Sequence, residues 1–314
     1  MHLIFYILIV VALFVFEILY FRVADKFNII DKPNERSSHT HITLRGGGVV
    51  FYFGVFLFMA LQGWLYPAFF LGLSLISTVS FLDDIRPLSS RLRLPLHFMA
   101  MGIMFIDLGL YALPWYFWVI ALVIAVGIIN AFNFMDGING ITGAYSMVAL
   151  LALWYVNQYI ISFADQSLIY IVFLSVLVFN FFNFRTKASC FAGDVGSVSI
   201  AFILVFLLGK LIVVSGDPRY LLFLAVYGVD TILTIIHRII LKEDILKAHR
   251  KHAYQLMANE LKIPHLVVSL CYSGLQLILS ALVIFAPFYS LLFVILLAIV
   301  YVAFKFRYFS LHTS

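Results

Sequence analysis

Residues 130–141 read Asn130-Ala131-Phe132-Asn133-Phe134-Met135-Asp136-Gly137-Ile138-Asn139-Gly140-Ile141 and lie between two long apolar runs. Amides, a carboxylate and glycines stand here where hydrocarbon tolerates none of them, because an unsatisfied polar group at membrane depth costs several kcal/mol. Such a cluster persists only where it faces water, a metal or a substrate. The stretch reads as one wall of an active site.

Outward from this wall the chain is apolar almost throughout. Hydrophobic residues make up 64% and charged residues 11% of the 314 positions, where a soluble domain carries about 25% charged residues; mean hydropathy is +1.08. With about 20 residues per span, the length leaves room for about 11 transmembrane helices joined by short loops. The expected fold is all-α: a polytopic integral membrane protein forming a single domain over 1–314, with no separate soluble part. The apolar runs place spans near 1–24, 49–62, 65–82, 95–112, 115–130, 140–161, 167–184, 197–215, 220–241, 266–286 and 288–304. The first is expected to be a retained helix, since it lacks a basic leader and a small-residue cleavage pattern. Glu17 within it is expected to snorkel near the helix end.

Alternating the spans across the bilayer gathers residues 25–46, 83–94, 131–140, 185–195, 242–264 and the C-terminus on one face, together with nearly every Lys and Arg. Arg219, with Lys210 near the far end of a span, points the other way. The positive-inside bias then makes the polar face cytoplasmic, and the net charge of +5 reports topology and not nucleic-acid binding. Cys190 and Cys271 have neither the number nor the spacing of a disulfide framework or zinc site and read as buried packing residues.

The polar loops carry the candidate chemistry. Adjacent Asp83 and Asp84 repel one another, so both stay ionised only beside a divalent cation or arginines; Arg86 and Arg91 are in reach in sequence. Asp136 and Asp194 sit next to glycines at span ends on the same face, and acidic points at one depth suggest Mg2+, a hard ion that takes oxygen ligands and leaves positions for phosphate. Gly193-Asp194-Val195-Gly196-Ser197 also opens a helix, whose free amides favour an anion. Asn130, Asn133 and Asp136 share a helix face at three-residue spacing, which suits phosphate or sugar oxygens, with helix-to-helix hydrogen bonding as the plainer reading. His249-Arg250-Lys251-His252 suits a diphosphate better than zinc, for which no third ligand is spaced nearby; a solvated basic loop on an anionic leaflet is the alternative. Asp230, midway along a span, reads as a functional or helix-pairing residue, with Arg238 as its candidate partner.

Taken in order, Asp31-x-Pro33-Asn34-x-Arg36-Ser37-x-His39, Asp83-Asp84, Asn130-x-x-Asn133-x-x-Asp136-Gly137, Gly193-Asp194-x-Gly196-Ser197 and the histidine loop resemble the polyprenyl-phosphate N-acetylhexosamine-1-phosphate transferases, over about residues 25–265. Asp230 to Arg238 and the loop from His249 to Gln255 are most similar to the branch that starts O-antigen and capsule repeat units. The resemblance implies transfer of a sugar-1-phosphate from a UDP-N-acetylamino sugar to undecaprenyl phosphate, with release of UMP and a requirement for Mg2+, in the bacterial inner membrane. It implies Asp194 as metal ligand and Asp83, Asp84 and Asp136 as catalytic residues. Arg36, His39, Asn130, Asn133, Asn139, His249, Arg250 and His252 would bind substrate. The family usually has a second aspartate where this chain has Asn139, so only a hydrogen-bonding role survives there. A homodimer stays open. The competing reading is a lipid-linked-sugar flippase or cation-coupled transporter that uses Asp230 and the acidic cluster as an ion path. The missing internal repeat and the one-sided polar motifs weigh against it.

Overall fold

The structure, a computed structural model, describes residues 2–31, 41–244 and 250–312. Arg36, His39 and His249 lie outside the described residues. The helices are α1 (His2–Lys26), α2 (Val49–Leu61), α3 (Pro67–Ile85), α4 (Ser90–Leu108), α5 (Trp115–Met135), α6 (Ile141–Tyr159), α7 (Gln166–Asn183), α8 (Gly193–Ser215), α9 (Ala225–Ile240), the short α10 (Ala253–Gln255), α11 (His265–Phe285) and α12 (Pro287–His312). Apart from α10 they follow the expected spans one for one. By length and composition, 8 of the described helices can cross a membrane, counting α9 together with the 3-10 turn Pro218–Leu224 before it. The chain is an all-α, multi-pass membrane protein.

The helices stop where their sequences cannot continue. Pro67 opens α3 at a position whose amide would be orphaned in any case. Gly109 and Gly216 close α4 and α8 in the left-handed conformation, at φ 69° in both cases. Asp165 caps α7 by accepting the Ser167 amide at 2.8 Å.

The central rod is α8. Of its most apolar stretch 72% is buried, against 22% for α1 and 11% for α12, so those two lie at the periphery, on the lipid side. Facing α8, α3 stacks Phe69 on Phe206 at 4.0 Å between ring centroids and joins Ser77 Oγ to Ser199 Oγ at 2.8 Å. At the other flank of α3, the Asp107 carboxylate of α4 accepts the Phe69 amide at 2.7 Å and so satisfies the start of α3 from a neighbouring helix. Buried Glu17 corrects the snorkelling expectation: it is fully enclosed, 3.9 Å from the Cys190 sulfur. Of the two cysteines Cys190 is buried as expected, whereas Cys271 is exposed on the outer face of α11.

A minimal antiparallel hairpin, β1 (Ile30–Asp31) with β2 (Thr43–Leu44), breaks the helical pattern. It extends by a strip of backbone bonds to the segment before α8: Phe191 N–H donates to Leu44 O at 2.8 Å, Gly47 N–H to Phe191 O at 2.9 Å and Gly48 N–H to Ala192 O at 3.1 Å. Glycines permit that contact. A Cβ added at Gly196 would lie 2.6 Å from the Cα of Gly48. We therefore expect Gly196→Ala to push α2 and α8 apart at a cost of about 1–3 kcal/mol, read as a lower thermal midpoint in detergent; an unchanged midpoint would contradict the close packing.

Candidate active site

Helices α3, α5 and α7 end where α4, α6 and α8 begin, and this shared end carries the acidic motifs. Asp83 and Asp84 occupy the last turn of α3 and Asp194 the first turn of α8. Adjacent positions on a helix point about 100° apart, and the two aspartates do different things. Both oxygens of Asp84 accept amides of the α8 N-terminus, Oδ1 from Asp194 N–H at 2.8 Å and Oδ2 from Val195 N–H at 2.9 Å. Asp84 is a helix cap supplied by another helix. Asp83 accepts the Leu88 amide at 2.5 Å, pairs closely with Arg93 of α4, and approaches Asp194 within hydrogen-bonding range.

Two arginines lace the carboxylates together. Arg45, directly after β2, places Nε 2.6 Å from Asp84 Oδ1 and Nη2 3.2 Å from Asp194 Oδ1. Arg93 Nη1 lies 3.2 Å from the other oxygen of Asp194. The backbone of Arg45 is itself held: its N–H donates to Ile29 O at 3.0 Å and its carbonyl accepts the Tyr20 hydroxyl at 2.6 Å. Charge balance singled out Arg86 and Arg91 in the sequence, but the pairs run instead to Arg45 and Arg93. One turn of helix separates Arg93 from Ser90 and faces it back to α3; Arg45, 38 residues before Asp83, has no local signal.

The wall read first forms the end of α5. Asn133 Nδ2 donates to Ser197 Oγ at 3.3 Å, which joins the wall to the first turn of α8 beside Asp194. Asn130 turns its amide back to the Val126 carbonyl of its own helix at 2.8 Å. Asp136 directly follows the last residue of α5. Burial pushes its carboxyl up to about 7; nearby Thr142 and Arg45 pull it down, and Asp194 pushes it further up. Asn139 is buried, and Nδ2 donates to the carbonyls of Arg185 and Thr186 at 2.9 and 3.1 Å while its own carbonyl accepts Ser269 Oγ at 2.8 Å. It clamps the loop after α7 to α11. His252 is also buried and sets Nδ1 3.1 Å from Asp230 Oδ1. Arg250 lies at the mouth of that loop, half-buried. Arg238, the candidate partner of Asp230, reaches Glu243 at 3.2 Å and the Asp244 carbonyl at 2.5 Å.

Among the described residues no group of three or more His, Cys, Asp and Glu side chains is arranged to hold a metal ion. A magnesium ion needs fewer, because it keeps waters and takes substrate phosphates beside one or two carboxylates. Asp83 and Asp194 would supply those carboxylates with the arginine side chains drawn off to the phosphates, and Asp194 keeps 20% of its side chain exposed. Asp84, occupied by two amides, would supply none.

The helices that bear this site carry a family signature. Residues 66–212 match the model of the family described as Glycosyl transferase family 4. A protein of Bacillus subtilis (strain 168) named "Probable undecaprenyl-phosphate N-acetylglucosaminyl 1-phosphate transferase" is 28% identical over 304 residues, covering 89% of this chain and 84% of its own length. The undecaprenyl-phosphate alpha-N-acetylglucosaminyl 1-phosphate transferase of Escherichia coli (strain K12) is 27% identical over 223 residues, covering 63% of this chain and 60% of its own length. A protein of the same name from Yersinia pestis is 28% identical over 207 residues, 60% of this chain and 56% of its own. Over these residues the chain is similar to the polyprenyl-phosphate N-acetylhexosamine-1-phosphate transferases that its motifs resemble.

The clamp at Asn139 is testable apart from activity. Two carbonyls demand a donor, so Asn139→Asp should leave each of them unsatisfied at about 1–3 kcal/mol. A protonated carboxyl can still donate once, so the acid form is the less damaging one, and the loss of thermal midpoint should be larger at pH 8 than at pH 5. An equal loss at both pH values would exclude the donor role.

Proposed function

We propose that the protein transfers an N-acetylhexosamine-1-phosphate from a UDP-linked amino sugar to undecaprenyl phosphate, giving a lipid-diphosphate-linked sugar and UMP on the cytoplasmic side of a bacterial inner membrane. The observation that carries this reading is the convergence of Asp83, Asp194, Arg45 and Arg93 with Asn133 and Asp136 at one end of the bundle. The names of the relatives support the acceptor and the sugar-1-phosphate.

The acceptor phosphate, with a second pKa of about 6, is largely dianionic at neutral pH and needs little help from a base. Its obstacle is repulsion from the donor diphosphate. Mg2+, held by Asp194 with Asp83, would supply charge neutralisation at the transferring phosphate. Arg45 and Arg93 stand within reach of the same carboxylates and would bind the phosphate oxygens that approach them, while Arg250 would meet the diphosphate from the loop side. Asn133, fixed by Ser197, would orient the nucleotide sugar against the first turn of α8. Positioning and charge then do most of the work, as phosphoryl transfer requires.

Purified protein in detergent, given undecaprenyl phosphate, Mg2+ and a panel of UDP-N-acetyl sugars, should release UMP with one of them. Asp194→Asn should lose this activity by at least about 10²-fold, the scale of removing a main transition-state contact, and chelation should abolish it. Near-normal, Mg2+-dependent turnover by Asp194→Asn would defeat the assignment of Asp194. Detergent also separates the readings, since a flippase or ion-coupled carrier needs sealed compartments and UMP release does not.

A further inference from the structure

Asp230 is 1% exposed and lies ten residues inside the end of α9, roughly 15 Å along the helix. A carboxylate at that depth demands donors, and it has them from four directions. From its own helix comes Thr234 Oγ1 at 3.1 Å; from α11, Tyr272 hydroxyl at 2.6 Å; from α12, Tyr301 hydroxyl at 2.9 Å. From the loop that returns after α9 come His252 Nδ1 and the Ala253 amide, both at 3.1 Å, and the Tyr254 amide at 3.5 Å. Buried Lys305 of α12 donates to Thr234 at 3.0 Å and adds a cation beside the cluster.

The cluster connects to the active-site wall. Tyr254, whose amide is held by Asp230, donates its hydroxyl to the Phe134 carbonyl at 2.8 Å, between Asn133 and Asp136. Gly137 gives that ring its room, since a Cβ there would meet the Tyr254 hydroxyl. We infer that Asp230 and Tyr301 are positioning residues for substrate: they hold the turn at His252–Tyr254 and, through Tyr254, the Asn133–Asp136 wall, so that the last helix, outside the matched residues 66–212, sets the geometry of the donor site. Arg250 precedes this anchored turn by two residues, and Lys251 pairs closely with Glu243.

Truncating Asp230 would strand buried donors and threaten folding, so the test uses Tyr301→Phe, which keeps the ring and removes the hydroxyl. Tyr289→Phe, an exposed tyrosine of the same helix, is the control. Two readouts decide. In the UMP-release assay, which rests on the proposed function, KM for the UDP-sugar should rise about three- to tenfold, the scale of one ordinary hydrogen bond, with kcat and KM for the lipid phosphate near wild type. In detergent without substrate, trypsin should cleave after Arg250 or Lys251 several-fold faster than in wild type, because the turn opens more often. A merely destabilised protein would lose active fraction, lowering kcat and leaving KM alone. Either readout staying at the wild-type value overturns the inference. Wild-type protein that turns over no donor would refute the proposed function and leave the trypsin measurement to decide this one.

Discussion

The carboxylate of Asp84 on the first amides of α8 is the constraint on which the rest of the site depends. A helix that begins at the membrane face has orphan N–H groups, and the sequence before α8, Cys190-Phe191-Ala192, offers no capping side chain. The cap comes from α3 instead. Because two oxygens meet two successive amides, the contact fixes the depth and the rotation of α8 against α3 at once. Asp194 then has no freedom but to lie beside Asp83. The turn into α8 is tight enough that Gly193 takes φ 72°, and a Cβ there would lie 2.6 Å from Asp84 Oδ2.

The same contact explains the arginines. In formal charge Asp83, Asp84 and Asp194 bring three negatives to one place and Arg45 and Arg93 return two, a formal excess of one negative charge. Buried like charges would otherwise protonate or splay apart. On the proposed reading, a site that takes both a divalent cation and a dianionic phosphate gains from being near neutral before either arrives, since neither then has to overcome a strong fixed field of its own sign. Arg45 can serve there only because the β2 strip and Tyr20 hold its backbone from both sides.

The helical architecture was legible because lipid enforces a simple code. Each span shows as an apolar run, each polar loop as an interruption, and most expected boundaries agree with the helices to within about five residues; the largest difference is α12, which runs on to His312 past the expected end at 304, and α4 starts early, at Ser90, with Arg91, Arg93 and Pro95 within it. Asp83, Asp136 and Asp194 could be found for the same reason, as polar residues where hydrocarbon forbids them. What could not be read was the pairing. Whether a carboxylate caps a helix or faces a ligand depends on its rotation about the helix axis, and sequence adjacency hid the division between Asp83 and Asp84. Glu17 was misjudged because its distance from the helix end says nothing about which neighbour covers it; the Gly46-Gly47-Gly48 segment closes over that face of α1. Asn139 and His252 stood out as polar, and their partners, two carbonyls and an aspartate, give them supporting roles in the described structure.

Asp84 and Asp230 repeat one solution at different depths. Each sits on a transmembrane helix, accepts successive backbone amides at the start of a helical segment elsewhere in the chain, and takes a nitrogen side chain as well: Arg45 on Asp84, His252 on Asp230. In both cases the capped segment is one that the sequence marks as candidate chemistry, Gly193 to Ser197 or the turn from His252. A bilayer makes this economical. Uncapped amides and an unpaired carboxylate are each costly in hydrocarbon, and joining them removes both penalties with one contact. The segment so held is also rigid, which suits the proposed chemistry of aligning two phosphates and neutralising their charge. On the inference drawn above, Asp84 and Asp230 are part of the active site's frame, and the interior of the membrane supplies the energetic pressure that keeps them in register.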